Sequence, residues 1–182
     1  MSSVIKSPER IIQKSIELFK EKGFNATSVN DIAQASGMVK GSLYNHFKGK
    51  EEILKKVIEV VEYNFFEYIK INDNNDVQEI LQWSAQFFLD NECCLLANLL
   101  NEKLPEEAKS DVVGFFQRWN DKIMIAMDER IPLDKKLAFA QDVIVSLEGG
   151  IIMKRVVNNN SPIERYLDRL NNDYEILKKS VI

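Results

Sequence analysis

The stretch TSVNDIAQASGMVKGSLYNHFKGK, residues 27–50, decides the fold. It contains two short helical patterns joined by a tight turn. Ser28 stands as an N-cap with Asp31 three residues on, an acidic form of the capping box in which each side chain bonds the other residue's backbone N–H. Val29, Ile32 and Ala33 then supply one apolar face. Gly37 interrupts the pattern where the chain needs a positive φ, a conformation open to glycine without steric cost. A second short helix follows, in which Val39, Leu43 and Phe47 recur every four residues. Ala33 lies four residues before the glycine and Leu43 six after it. The small residue lets the two helices cross closely, and the later apolar residue locks the second onto the first. This is the outline of a helix-turn-helix. It leaves Lys40, Gly41, Ser42, Tyr44, Asn45 and His46 facing outward.

Working outward, Ser7-Pro8 is a helix start, with serine as cap and proline at the first helical position. Ile12, Ile16 and Phe19 form its stripe, Gly23 closes it, and Phe24 plugs the core of a three-helix head. From Glu51 the pattern Ile53, Leu54, Val57, Ile58, Val61, Phe65, Tyr68 runs to about Lys70 as a connecting helix. The polar run INDNNDV is a loop by composition. Further helices are expected from Asp76 to about Asn91, from Cys93 to Leu104 before Pro105, from Glu106 to about Arg130, from Leu133 to Val157, and from Ser161-Pro162 onward. The expectation is an all-α chain of about nine helices: a helix-turn-helix head over residues 1–50 and a six-helix body over 51–182.

Composition agrees. Only four prolines and seven glycines among 182 residues leave little punctuation for an all-β fold. No apolar run approaches the ~18 residues of a membrane span, and the N-terminus lacks the apolar core of a signal peptide, so a cytoplasmic protein without a membrane partner is expected. The net charge of −4 hides an asymmetry. Residues 1–50 carry eight Lys and Arg against four Asp and Glu, a net of +4, while the remainder carries 16 against 24, a net of −8. A basic head on an acidic body points to a polyanion partner for the head alone. Catalysis is not expected: the single histidine, His46, lies inside the helix-turn-helix, and no zinc-protease, nucleophile-elbow or phosphate-loop motif occurs. No cofactor and no metal site are expected.

The last helix has an informative period. Ile163, Leu167, Leu170, Tyr174 and Leu177 advance by alternating steps of four and three, a heptad seam. The preceding helix does likewise with Leu137, Ala140, Ile144, Leu147 and Ile151, and Ser146, Gly149 and Gly150 beside it allow close backbone approach. Doubled by a two-fold axis, the pair makes a four-helix homodimer interface; the alternative is that both seams serve the chain's own core.

Residues 10–60 resemble the DNA-binding head of the TetR family of bacterial one-component repressors. The resemblance rests on the Phe19…Gly23 helix end, Thr27-Ser28-Val29, Asp31-Ile32-Ala33, Gly37, Lys40-Gly41-Ser42-Leu43-Tyr44 and His46-Phe47…Lys50-Glu51. It implies that Lys40, Gly41 and Ser42 open the recognition helix and read base edges in the major groove of a palindromic operator. It implies phosphate contacts for Tyr44, His46 and Lys50, and hydroxyl or amide contacts for Thr27 or Ser28. Asn45 stands where many relatives carry a larger aromatic.

The resemblance further implies a small-molecule pocket in the body, whose occupation shifts the spacing of two heads that must reach grooves roughly 34–36 Å apart. Candidate lining residues are Phe65, Trp83, Phe87, Phe88, Phe116, Trp119 and Met153, although aromatics at helical spacing also serve as plain core. The absence of clustered Arg or Lys favours an apolar or aromatic effector. Cys93-Cys94, in ECCLLANL, resembles a segment of relatives that respond to electrophiles or oxidants; the alternative is a pair of buried thiols. Two other readings remain at this point: a DNA-binding protein without an effector, and an activator in place of a repressor.

Overall fold

A computed structural model of the chain describes residues 7–69 and 76–181. The N-terminal residues 1–6 and most of the INDNNDV run, both subjects of expectations above, lie outside the described residues. Every regular element described is a helix: α1 Ser7–Lys22, α2 Val29–Ala35, α3 Lys40–Leu43, α4 Lys50–Tyr68, α5 Val77–Asp90, α6 Leu95–Leu99, α7 Glu106–Ala126, α8 Leu133–Val157 and α9 Ser161–Lys179. The all-α expectation holds, with shorter bounds in places. The pattern from Cys93 to Leu104 yields helix only over Leu95–Leu99, and α7 stops at Ala126, short of Arg130.

Two compact units divide the chain. One takes the described residues up to Tyr63 together with Leu95–Val113; the other takes Asn64–Cys94 and the residues from Gly114 onward. The first unit thus extends past the boundary expected after Lys50 and includes α6 with the first part of α7. The reason is apolar. Ile53, Leu54, Val57 and Ile58 of α4 are buried, as are Leu95, Leu96 and Leu99 of α6 and Val112 of α7.

In the second unit α5, α8 and α9 pack together. Asp76 caps α5, accepting the Glu79 N–H at 2.9 Å. At its other end the Lys154 ammonium, reaching from α8, donates to the carbonyls of Phe88, Leu89 and Asn91, the groups a helix C-terminus leaves unpaired. Gly150 lies against Ile163, where a Cβ would come within 3.2 Å of its side chain, so α8 and α9 approach closely there. α8 ends at Asn158, which adopts the left-handed conformation at φ 53.

The chain's own packing covers much of the stripe expected to form a dimer seam. Leu147, Ile151, Ile163, Leu170 and Tyr174 are buried within the chain itself, and Ile144, Leu167 and Leu177 are half-buried. Of the nine residues assigned to the interface only Leu137 is exposed. A heptad stripe marks helix-on-helix packing without naming the partner, and within the chain α8 and α9 pack on each other.

Candidate nucleic-acid interface

The head is assembled by local polar chemistry around a few buried apolar anchors. The capping box forms: the Ser28 hydroxyl accepts the Asp31 N–H at 3.1 Å, and the Asp31 carboxylate accepts the Ser28 N–H at 2.8 Å. The Ser28 hydroxyl also donates to the Asp31 carboxylate at 2.7 Å, and this bond first, then the one from the Ser28 N–H, holds the Asp31 carboxyl below the usual carboxylate range. Gly37 adopts φ +70, and the Arg10 guanidinium lies over it, such that a Cβ there would come within 3.1 Å. Ile32, Ala33, Leu43 and Phe47 are buried and fix α3 on α2.

The rest of α3 and its flanks face solvent. Lys40, Gly41, Tyr44, Asn45 and His46 are exposed, Ser42 is half-buried, and nothing lies within 4 Å of a Cβ built on Gly41. Ser28 is exposed at the N-terminus of α2. Apart from half-buried Ser42, these expected contact residues are open to solvent.

Three positions differ from expectation. Val39 was assigned to the apolar face but is 71% exposed. It precedes the helix in extended conformation, at φ −80 and ψ 150, so the four-residue spacing that would turn it inward does not apply. Thr27 is buried, and its hydroxyl donates to the Gly23 carbonyl at 2.7 Å, closing α1 instead of facing outward. Lys50 is half-buried. Its ammonium donates to the carbonyls of Phe24 at 2.8 Å and Thr27 at 2.9 Å, and lies 4.2 Å from the centre of the Phe24 ring. It braces the turn between α1 and α2. Lys48, an exposed cation between α3 and α4, is absent from the expected contact residues. Lys48 was visible as part of the basic excess.

In the second unit the expected lining residues converge in part. Phe65 is buried and meets Phe87, Phe115 and Trp119 edge to face, with ring centres 4.9, 5.1 and 4.8 Å away. Phe88 stacks on Trp119 at 6.0 Å, and Phe116 joins through Phe115. Trp83 meets the Tyr68 ring at 6.4 Å and is 37% exposed, and Met153 is exposed on α8. Tyr68 donates to Asp90, which pushes its hydroxyl pKa up to about 12. Several polar atoms are buried in this unit without a hydrogen-bond partner: Ser84 Oγ, Trp119 Nε1, Asn120 Oδ1 and Glu148 Oε1. Burial pushes the Glu148 carboxyl up to about 7, a hydrogen bond with Cys94 working weakly against it. Cys94 is buried and Cys93 half-buried.

Among the described residues no group of His, Cys, Asp and Glu is placed to hold a metal ion, and no helix is long and apolar enough to cross a membrane.

The comparisons with known proteins agree with this geometry. Residues 11–57 match the family model described as "Bacterial regulatory proteins, tetR family". The biofilm operon icaADBC HTH-type negative transcriptional regulator IcaR of Staphylococcus epidermidis is 30% identical over 136 residues, covering 70% of this chain and 74% of that protein. The HTH-type transcriptional repressor DhaR of a Mycobacterium species is 24% identical over 173 residues, 87% of each chain. A TetR transcriptional regulator from Legionella pneumophila superposes with a TM-score of 0.81 at 20% identity, covering 94% of this chain and 98% of that one.

Proposed function

The chain belongs to the TetR family of DNA-binding transcriptional regulators, which are not enzymes, and from that premise we propose that it is a cytoplasmic, homodimeric repressor released from a palindromic operator by a small molecule. The observation that carries the reading is the exposed arc of Lys40, Gly41, Tyr44 and His46 held on buried Leu43 and Phe47. Lys40 and Gly41 meet base edges, while Tyr44, His46 and Ser28 meet phosphates. Repression is supported by the names of both relatives, a negative regulator and a repressor.

A second stripe on α8 supports the dimer. Val145, Ile152 and Val156 are 69%, 62% and 70% exposed, and Gly149 between them has open space where a Cβ would stand. They advance by four, three and four residues, the spacing of a helix seam, and Ile176 of α9 is exposed as well. Exposed apolar residues in such a line mark an interface. The effector side rests on the aromatic cluster around Trp119. The cluster suits an apolar or aromatic compound, and the unpartnered Trp119 Nε1 and Ser84 Oγ suit a hydrogen-bonding group on it. Reaction with electrophiles is a second reading and falls to Cys93, the more accessible thiol, because Cys94 is buried beside a carboxyl group.

One selection experiment tests the core of this. From random duplexes the parent protein enriches a palindrome, and the Val145→Glu/Ile152→Glu variant enriches isolated half-sites with weaker binding. Enrichment of no sequence overturns the DNA reading, and an unchanged palindrome with the variant overturns the α8 interface.

A further inference from the structure

The turn from Gly23 to Thr27 joins α1 to the helix-turn-helix, and it is gripped from two sides. On one side the Glu102 carboxylate, carried by the loop between α6 and α7, accepts the N–H of Phe24 through Oε1 and the N–H of Asn25 through Oε2, each at 2.7 Å. On the other side the Lys50 ammonium donates to the carbonyls of Phe24 and Thr27. A carboxylate receiving two converging backbone N–H groups forms a charge-assisted, two-point bond that fixes direction as well as distance. The fit is tight, since a Cβ on Gly23 would come within 2.5 Å of Glu102 Oε1, and Gly23 itself sits at φ +83. These partners are 77 and 78 residues apart in sequence, whereas the Thr27–Gly23 and Ser28–Asp31 bonds of the head are local.

We propose that Glu102 is a positioning residue for DNA recognition: by clamping the α1–α2 turn it sets the attitude in which α2 and α3 meet the operator, and it makes the α6–α7 loop a control point for DNA affinity. The proposal rests on the DNA-binding reading above. The loop follows α6 directly, and α6 packs on α1, so a displacement of that segment reaches the turn through the Glu102 carboxylate as well as through α1.

Electrostatics alone makes the opposite forecast, which gives the test its sign. Removing an acid from a DNA-binding head reduces repulsion of phosphate and tightens binding. A lost clamp loosens the turn and weakens binding. The experiment measures operator affinity of Glu102→Gln and Glu102→Asp, on a site selected with the parent protein, beside melting temperature and amide hydrogen exchange at Phe24 and Asn25. Gln neutralises the charge and presents an NH2 to one of the two N–H groups. Asp keeps the charge but is one methylene too short to span both. Both variants are expected to bind at least tenfold more weakly and to exchange those two amides faster. Equal or tighter binding by Glu102→Gln, or a lowered melting temperature with unchanged affinity of the folded protein, overturns the proposal. Should Glu102→Gln fail to fold, the Asp variant decides by the same readings. A parent protein that selects no site overturns the DNA reading instead.

Discussion

The turn at Gly23–Thr27 and the cluster around Trp119 are held by opposite kinds of interaction. In the turn, hydroxyl, carboxylate and ammonium groups each meet a named backbone partner: Thr27 bonds Gly23, Glu102 bonds Phe24 and Asn25, and Lys50 bonds Phe24 and Thr27. In the cluster, aromatic rings meet edge to face and polar atoms are left over, Trp119 Nε1 and Ser84 Oγ among them. Directional bonds specify one arrangement, which suits a surface that must match DNA. Ring contacts tolerate several arrangements, and a buried polar atom without a partner stabilises a state in which something supplies one. The contrast is between these two regions and not between whole units, since the first unit also buries an unpartnered hydroxyl at Ser36.

The largest effect that tests the contrast is at Trp119. Trp119→Ala opens a cavity in the cluster and is expected to cost about 3–5 kcal/mol in chemical denaturation. Trp119→Phe keeps most of the ring and removes the unpartnered N–H, so it is expected to cost far less. If Phe proves as damaging as Ala, the indole N–H has a partner in solution and the leftover demand is not real.

Glu148 gives the next effect, through pH. Its carboxyl is pushed up to about 7 by burial, above its ordinary 4.5. Between those values the folded chain holds a proton that the unfolded chain releases, so stability falls as pH rises through the window, by at most about 3 kcal/mol. Glu148→Gln is expected to flatten that decline while leaving stability at low pH near the parent's, as read from denaturation curves at stepped pH. A decline that survives the substitution assigns it to another group.

How much of this was legible follows the same division. Ser28, Asp31, Gly37, Leu43 and Phe47 act within a few residues of one another, so spacing alone assigns them. Val39 was misread because its assignment assumed that α3 begins one residue early, and an extended residue there points outward. Glu102 and Lys50 act on partners far away in sequence, and no local pattern announces them. On α8 two stripes run side by side with the same heptad spacing, Ala140–Leu147–Ile151 packed within the chain and Val145–Gly149–Ile152–Val156 open. Periodicity finds both stripes but does not say which one a neighbour in the same chain will cover. The aromatic residues were legible as a group, while Trp83 and Met153 were not distinguishable from the others until burial was known.

Lys50 gives the smallest effect and the finest cut between the two regions. A lysine that contacts phosphate contributes to the salt dependence of binding, and its removal lowers the slope of log K against log salt by nearly one per contact. A lysine committed to two carbonyls and an aromatic face contributes to folding instead, and charged hydrogen bonds of this kind are worth about 1.5–3 kcal/mol before solvent screening at a half-buried site. Lys50→Ala is therefore expected to lower head stability by about 1–2 kcal/mol while leaving the salt slope near the parent's, because its ammonium is already held by the carbonyls of Phe24 and Thr27. Lys40→Ala, an exposed cation at the start of α3, is expected to do the reverse, lowering the slope or relaxing sequence preference with little change in stability. Equal slopes lost at both positions would mean that Lys50 leaves the turn when DNA arrives. The brace would then be a resting position, and the head would share some of the body's readiness to rearrange.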